Sequence, residues 1–129
     1  MAVINLDHIN LRAKHEMLEQ LRNFYSRVVG LTEGKRPPFR EVGYWLYAGD
    51  RAVLHLSLAD DSEDCQPGVR TTFNHMAFAC TGQSAVEERL SASGIEYTIQ
   101  RVPETDLVQL FFQDPAGNTV EMSFSSKGG

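Results

Sequence analysis

The chain repeats itself. Leu6-Asp7-His8-Ile9-Asn10 lines up with Phe73-Asn74-His75-Met76-Ala77, and Ala52-Val53-Leu54-His55-Leu56-Ser57 lines up with Asn118-Thr119-Val120-Glu121-Met122-Ser123. The spacing agrees as well: His8 and His55 are 47 positions apart, His75 and Glu121 are 46. An internal repeat constrains the fold more than any local signal, because both halves must build the same element order.

Local patterns supply that order. β-branched and apolar content predicts a strand at Val3 to Leu11. Met17, Leu18, Leu21, Phe24, Tyr25 and Val28 recur at three- and four-residue spacing, an apolar stripe on one helix. Gly30 stops that helix, since glycine enters the left-handed region freely. Pro37-Pro38 cannot sit inside a helix or central strand. Strands follow at Gly43 to Ala48 and Arg51 to Ala59, with Gly49-Asp50 as the turn. In the second half, strands are expected at Phe73 to Cys80, Tyr97 to Arg101, Leu107 to Gln113 and Thr119 to Phe124. Ser84 and Glu87 have capping-box spacing for a helix that ends at Gly94. Asp114-Pro115-Ala116-Gly117 is a turn signal. Ser125 to Gly129 reads as a frayed tail.

The expected fold is α+β: two βαβββ modules forming a curved mixed or antiparallel sheet cavity, with helices on the outer face. One domain of 129 residues is expected, with module 1 at about 1–60, a linker at about 60–71 and module 2 at about 72–125. That length suffices to bury a core without staples. A net charge of −5 gives no basic stripe for nucleic acid and no polybasic surface for anionic lipid. No apolar run approaches a membrane span, and Met1 to Asn10 lacks a signal-peptide pattern. Two cysteines, Cys65 and Cys80, make no disulfide framework and read as reduced thiols of a cytoplasmic protein.

Strand alternation then sorts the side chains. Val120, Met122 and Phe124 oppose Thr119, Glu121 and Ser123. Leu54, Leu56 and Leu58 oppose Val53, His55 and Ser57. Met76, Phe78 and Cys80 oppose Phe73, His75, Ala77 and Ala79. Ile9 and Leu11 oppose His8 and Asn10. The apolar faces belong under the two helices. The other faces carry His8, His55, His75 and Glu121 among mostly small residues, which leaves room for a cavity. Imidazoles with a carboxylate suit Fe, Ni, Zn or Mn rather than Mg or Ca. Taken singly, each histidine fits the plainer role of a hydrogen-bonded core or surface residue. The repeat is what groups them. His55 is the weakest member, and a base or a supporting group is the alternative to a ligand. His15 has no repeat partner and reads as a solvated surface residue.

These residues resemble a known family. Asp7-His8-Ile9, Phe24-Tyr25 through Val29-Gly30-Leu31, Asn74 to Phe78, and Phe111 to Glu121 with its Asp-Pro-x-Gly-x-x-x-Glu element are similar to the vicinal-oxygen-chelate superfamily. That superfamily includes glyoxalase I, methylmalonyl-CoA epimerase, extradiol dioxygenases, fosfomycin-resistance transferases and bleomycin-binding proteins. The resemblance implies that His8, His75 and Glu121 are metal ligands. His55 falls where glyoxalase I has a glutamate and the epimerase a glutamine, a fourth ligand in those enzymes. A histidine there departs from both, and it removes one negative charge relative to a two-histidine, two-glutamate set. Phe111 stands where the fosfomycin transferases have a tyrosine, and the bleomycin binders lack the metal ligands. The resemblance also implies a homodimer.

The leading expectation is a metal-dependent enzyme acting on a small molecule, a glyoxalase-like lyase or isomerase. A divalent transition metal would chelate neighbouring substrate oxygens while His55 or Glu121 moves a proton. The alternatives are an Fe(II) extradiol-type dioxygenase using His8, His75 and Glu121, and a non-enzymatic small-molecule binding or resistance protein. Candidate substrate contacts are Asn10, Trp45, Gln109 and Phe111. Gln109, with Phe111 and Gln113, equally fits plain strand alternation. Either Trp45 with Tyr47 or Tyr44 with Leu46 faces the pocket, and parity alone does not choose. Arg36, Arg40 and Glu41 either flank an entrance or are simply solvated.

Overall fold

The computed structural model describes residues 1–125. The chain divides into two compact units, Met1–Cys65 and Gln66–Gly129. The first contains β1 (Ile9–Ala13), α1 (His15–Phe24), β2 (Thr32–Gly34), β3 (Gly43–Ala48) and β4 (Arg51–Leu58). The second contains β5 (His75–Cys80), α2 (Gln83–Ala92), β6 (Thr98–Arg101), β7 (Leu107–Gln113) and β8 (Thr119–Ser125). Both units are βαβββ, and each builds one four-stranded mixed sheet, in orders β1-β4-β3-β2 and β5-β8-β7-β6. The outer pairs β1–β4 and β5–β8 are parallel and the rest antiparallel. A parallel pair needs a long crossover, and the helix and two intervening strands provide it.

Sequence alternation sorts the large apolar side chains to one side of each sheet, while the other side is open along β5 but buried at His55, Ser57 and Glu121. In the first unit, Leu46, Leu54 and Leu56 are buried, as are Leu18 and Leu21 of α1, which packs on β1 and β4. Each such leucine contributes about 1.5–3 kcal/mol by leaving water. In the second unit, Val108, Leu110, Phe112, Val120, Met122 and Phe124 are buried, with Val86 and Leu90 of α2. His75, Ala77 and Ala79 on the other side of β5 are exposed.

Several boundaries differ from the sequence reading. The first strand begins at Ile9 rather than Val3, and Val3, Ile4 and Leu6 are exposed. β-propensity needs a ladder partner, and residues 1–8 pair with no strand among the described residues. β2 was not located, because its three residues, Thr32, Glu33 and Gly34, carry no apolar alternation. The first helix ends in a π-helical turn, Tyr25–Val29, which Gly30 terminates at φ 96° as its sequence position predicts. Both Gly30 and Leu31 donate to the Tyr25 carbonyl there, at 3.1 and 2.9 Å. The expected capping box is not formed. α2 starts at Gln83 after a left-handed Gly82 with no side-chain cap, so Ser84 already lies inside the helix. Glu87 instead accepts from Gln83 Nε2 at 3.1 Å and from the Tyr97 hydroxyl at 2.9 Å. Ser125, expected to begin the tail, closes β8, and residues 126–129 lie outside the described residues.

Candidate functional site

The repeat places its polar groups at equivalent registers. Asn10 pairs with His55 across β1–β4, and Ala77 pairs with Glu121 across β5–β8. His8 and His75 each stand two residues before, and alternation returns them to the side of the partner. Each unit thereby brings two candidates together: His8 with His55, and His75 with Glu121. Among the described residues, no three His, Cys, Asp or Glu side chains, these four included, form a group that could hold an ion.

In the first unit the rings are layered. His8 stacks on His55 with centroids 3.7 Å apart and planes 14° from parallel. Trp45 stacks on His55 at 4.1 Å and 10°. Trp45 is paired with His55 between β3 and β4, which settles the parity: Trp45 faces the histidines, and the Tyr44 hydroxyl donates to Glu19 of α1 at 3.0 Å on the other side. His8 Nδ1 lies 2.7 Å from Asp7 Oδ2, and His55 Nε2 lies 3.1 Å from the Ala52 carbonyl. Those oxygens only accept, so each ring donates there, and in a neutral ring the second nitrogen keeps a lone pair. Burial, followed by the neighbouring His8, pushes His55 below the usual imidazole range, which favours the neutral, ligating form. The His8 hydrogen bond holds the Asp7 carboxyl below its ordinary value. Ser57 fixes Asn10, donating to its Oδ1 at 2.9 Å, and Arg12 donates to Ser57 Oγ at 3.1 Å. Nothing in strand parity distinguishes Ser57 from other small polar residues, and its role was not legible beforehand.

In the second unit, His75 Nδ1 is 2.7 Å from Asn74 Oδ1, and its Nε2 is 3.1 Å from Glu121 Oε1. Glu121 is buried. Its other oxygen accepts from Gln109 Nε2 at 3.0 Å, so Gln109 positions the carboxylate. Phe111 packs edge-on against His75 at 5.7 Å. With Nδ1 on an amide oxygen, a neutral His75 turns a lone pair toward the carboxylate. A cation or a shared proton relieves that opposition, and so does reversal of the Asn74 amide, which makes Nε2 the donor to Glu121. All three imidazoles thus have one nitrogen on an oxygen acceptor, the arrangement that orients metal-ligating histidines. The donor chemistry fits a transition ion.

Cavities add a third element. One of about 300 Å³ in the first unit is lined by His8, Asn10, Arg36, Phe39, Trp45 and His55, among others. The wider cleft of the second unit, about 1040 Å³, runs from Ile95 to Thr98 and along Phe111 to Gln113. It includes neither His75 nor Glu121, so the chemistry points to the smaller one. Arg36 and Glu41, which in sequence fit either an entrance or a solvated surface, line the smaller cavity. His15 is exposed, as its lack of a repeat partner suggested. Cys65 and Cys80 are both free, and burial pushes the Cys80 thiol up, away from the reactive thiolate. No helix among the described residues is long and apolar enough to cross a membrane.

This fold and these paired donors define a small-molecule binding class rather than a single activity. The chain belongs to the Glyoxalase/Bleomycin resistance protein/Dioxygenase superfamily, whose family model matches residues 5–122. It is 30% identical over 123 residues to Glyoxylase I 4 of Arabidopsis thaliana, covering 92% of this chain and 69% of that protein. Its fold matches a glyoxylase/bleomycin resistance protein/dioxygenase domain from Frankia sp. EAN1pec, with a TM-score of 0.74, 18% identity, and 96% and 99% of the two chains covered. It also matches TnmS3, an antibiotic binding protein from a Streptomyces species, with a TM-score of 0.70, 20% identity, and 98% and 99% covered.

Proposed function

We propose that the chain is a metal-dependent enzyme of the glyoxalase-like kind, a lyase or isomerase acting on a small molecule with neighbouring oxygens. His8, His55, His75 and Glu121 are the proposed holders of a divalent transition metal: Fe, Ni, Zn or Mn. The observation that carries this is the repeated donor pair, with each imidazole oriented through its other nitrogen by Asp7, Ala52 or Asn74. The ion, when bound, supplies polarisation of substrate oxygens. The chain's own residues do the rest. Glu121, held by Gln109, and His55, whose neutral form burial favours, are the proposed proton-moving groups. Trp45 and Phe111 give apolar walls, and Asn10 a fixed amide. The similarity to Glyoxylase I 4 supports the same class. A homodimer in solution and a single two-module domain belong to the proposal.

The test is elemental analysis of the purified protein beside His8→Ala, His55→Ala, His75→Ala and Glu121→Ala. Near-stoichiometric transition metal, lost in the variants, is expected. A wild type that takes up none after reconstitution with Fe, Ni, Zn or Mn would move the reading to a binding protein, the class that TnmS3 represents by its name.

One observation favours a second reading. His55 is sandwiched between His8 and Trp45 with Nε2 turned to the Ala52 carbonyl. That suits a supporting acid or base beside a ligand triad of His8, His75 and Glu121, the donor set of Fe(II) dioxygenases. Retention of metal in His55→Ala, with oxygen consumed on a catechol by the Fe(II)-loaded wild type, would select it.

A further inference from the structure

The cavity of the first unit is lined by an arginine that the proposed metal chemistry does not use. Arg36 sits between β2 and β3, and its side chain is only 15% exposed. Its guanidinium lies against the backbone of Gly43: a Cβ there would fall 2.6 Å from Nη2 and 2.8 Å from Cζ. On another side, Cζ stands 4.8 Å from the centre of the Phe39 ring. The position is therefore built, with a glycine below and an aromatic beside it.

The donors of this guanidinium are mostly unmet. Nη1 donates to the Glu41 carbonyl at 3.2 Å. Nε is buried and has no hydrogen-bond partner among the described residues. The nearest carboxylate oxygen, on half-exposed Glu41, is 3.9 Å from Nη2, beyond hydrogen-bond reach. The other acid lining the cavity, Asp7, is committed to His8 and is 90% exposed. A guanidinium offers five N–H donors in a fork that matches a carboxylate, and a buried one is costly without such a partner.

We propose that Arg36 binds the carboxylate of the substrate, which is thereby a small carboxylic acid with a flat apolar body lying along Phe39 and Trp45. The cavity of about 300 Å³ sets the size, a single ring or a short chain. The proposal rests on the reading above only for which end of the substrate reacts; the Arg36 contact stands apart from it. Glu41 is the loose acceptor that the incoming carboxylate replaces.

The chain has one tryptophan, Trp45, and it lines this cavity. Its fluorescence therefore reports occupancy directly. Benzoate and the neutral benzamide are titrated into the protein as purified, into Arg36→Met and into Arg36→Lys, with folding checked by circular dichroism and metal content measured for each. Benzoate is expected to saturate the wild type at least about tenfold more tightly than benzamide, the difference a charge-assisted pair makes. Arg36→Met is expected to lose that preference while keeping its metal. Arg36→Lys, which keeps the charge but not the fork, is expected to weaken benzoate several-fold. Equal binding of benzoate and benzamide by the wild type, or benzoate binding unchanged in a folded Arg36→Met or Arg36→Lys protein, overturns the proposal. A wild type without metal that still prefers benzoate through Arg36 would sink the enzyme reading and leave this one standing.

Discussion

Gln109 donates its amide to Glu121 Oε2 at 3.0 Å, while the other oxygen of that carboxylate meets His75. The carboxylate is thus aimed from the neighbouring strand. Replacing Gln109 with leucine keeps the size and removes the donor. Metal affinity is expected to fall about 10- to 100-fold, the usual effect of losing a partner of a ligand. A metal-binding titration of Gln109→Leu measures this, and unchanged affinity would make Gln109 a bystander or substrate contact.

The turn before β8 has a buried carboxylate at its centre. Asp114 accepts from the backbone N–H of Ala116 and of Asn118 at 2.9 Å each, and from Asn118 Nδ2 at 3.0 Å. Asp114→Ala strands those donors, at a cost of about 1–3 kcal/mol. The turn launches the strand that carries Glu121, so metal content is expected to fall along with the denaturation midpoint.

Gly30 ends the first helix at φ 96°. An alanine there meets its own carbonyl, and Gly30→Ala is expected to cost about 1–2 kcal/mol in urea denaturation. Metal content is expected to stay unchanged, since Gly30 caps a helix and lies on none of the strands that carry His55, His75 and Glu121.

Glu63 gives a pH-dependent test. Its hydrogen bond with Arg12 holds the carboxyl down to about 2, from an ordinary value of 4.5. The folded value lies below the unfolded one, so the stabilisation is present above about pH 4.5 and is lost as pH falls toward 2. Glu63→Gln is expected to lower the urea midpoint at pH 6 and to match the wild type near pH 2. A constant difference across that range would show that the ion pair is not the cause.

Much of the fold was readable because it rests on local rules. Period-two alternation predicted which of Leu54, His55, Leu56 and Ser57 share a side, and the repeat predicted that both halves are βαβββ. Gly30 and Asp114-Pro115-Ala116-Gly117 marked their turns because few other residues suit those backbone shapes. The chemistry of the candidate donors was likewise visible, since imidazole and carboxylate are what they are in any fold.

Other features depend on segments far apart in sequence. Whether Val3 to His8 joins a strand depends on a neighbour to pair with, and none is there among the described residues. Trp45 could face either side until β3 took its register against His55. Nothing local in sequence says that Gln109 meets Glu121, because the contact arises only when β7 lies beside β8. Arg36 looked like a solvated charge, because the glycine and the phenylalanine that hold it, Gly43 and Phe39, give no sign in sequence of packing around a guanidinium. The sequence determined the elements and the donor types, which follow from conformational preference and side-chain chemistry. The tertiary structure decided which donors are aimed, which are spent on neighbours and which are left over, because only packing brings distant groups within hydrogen-bond reach.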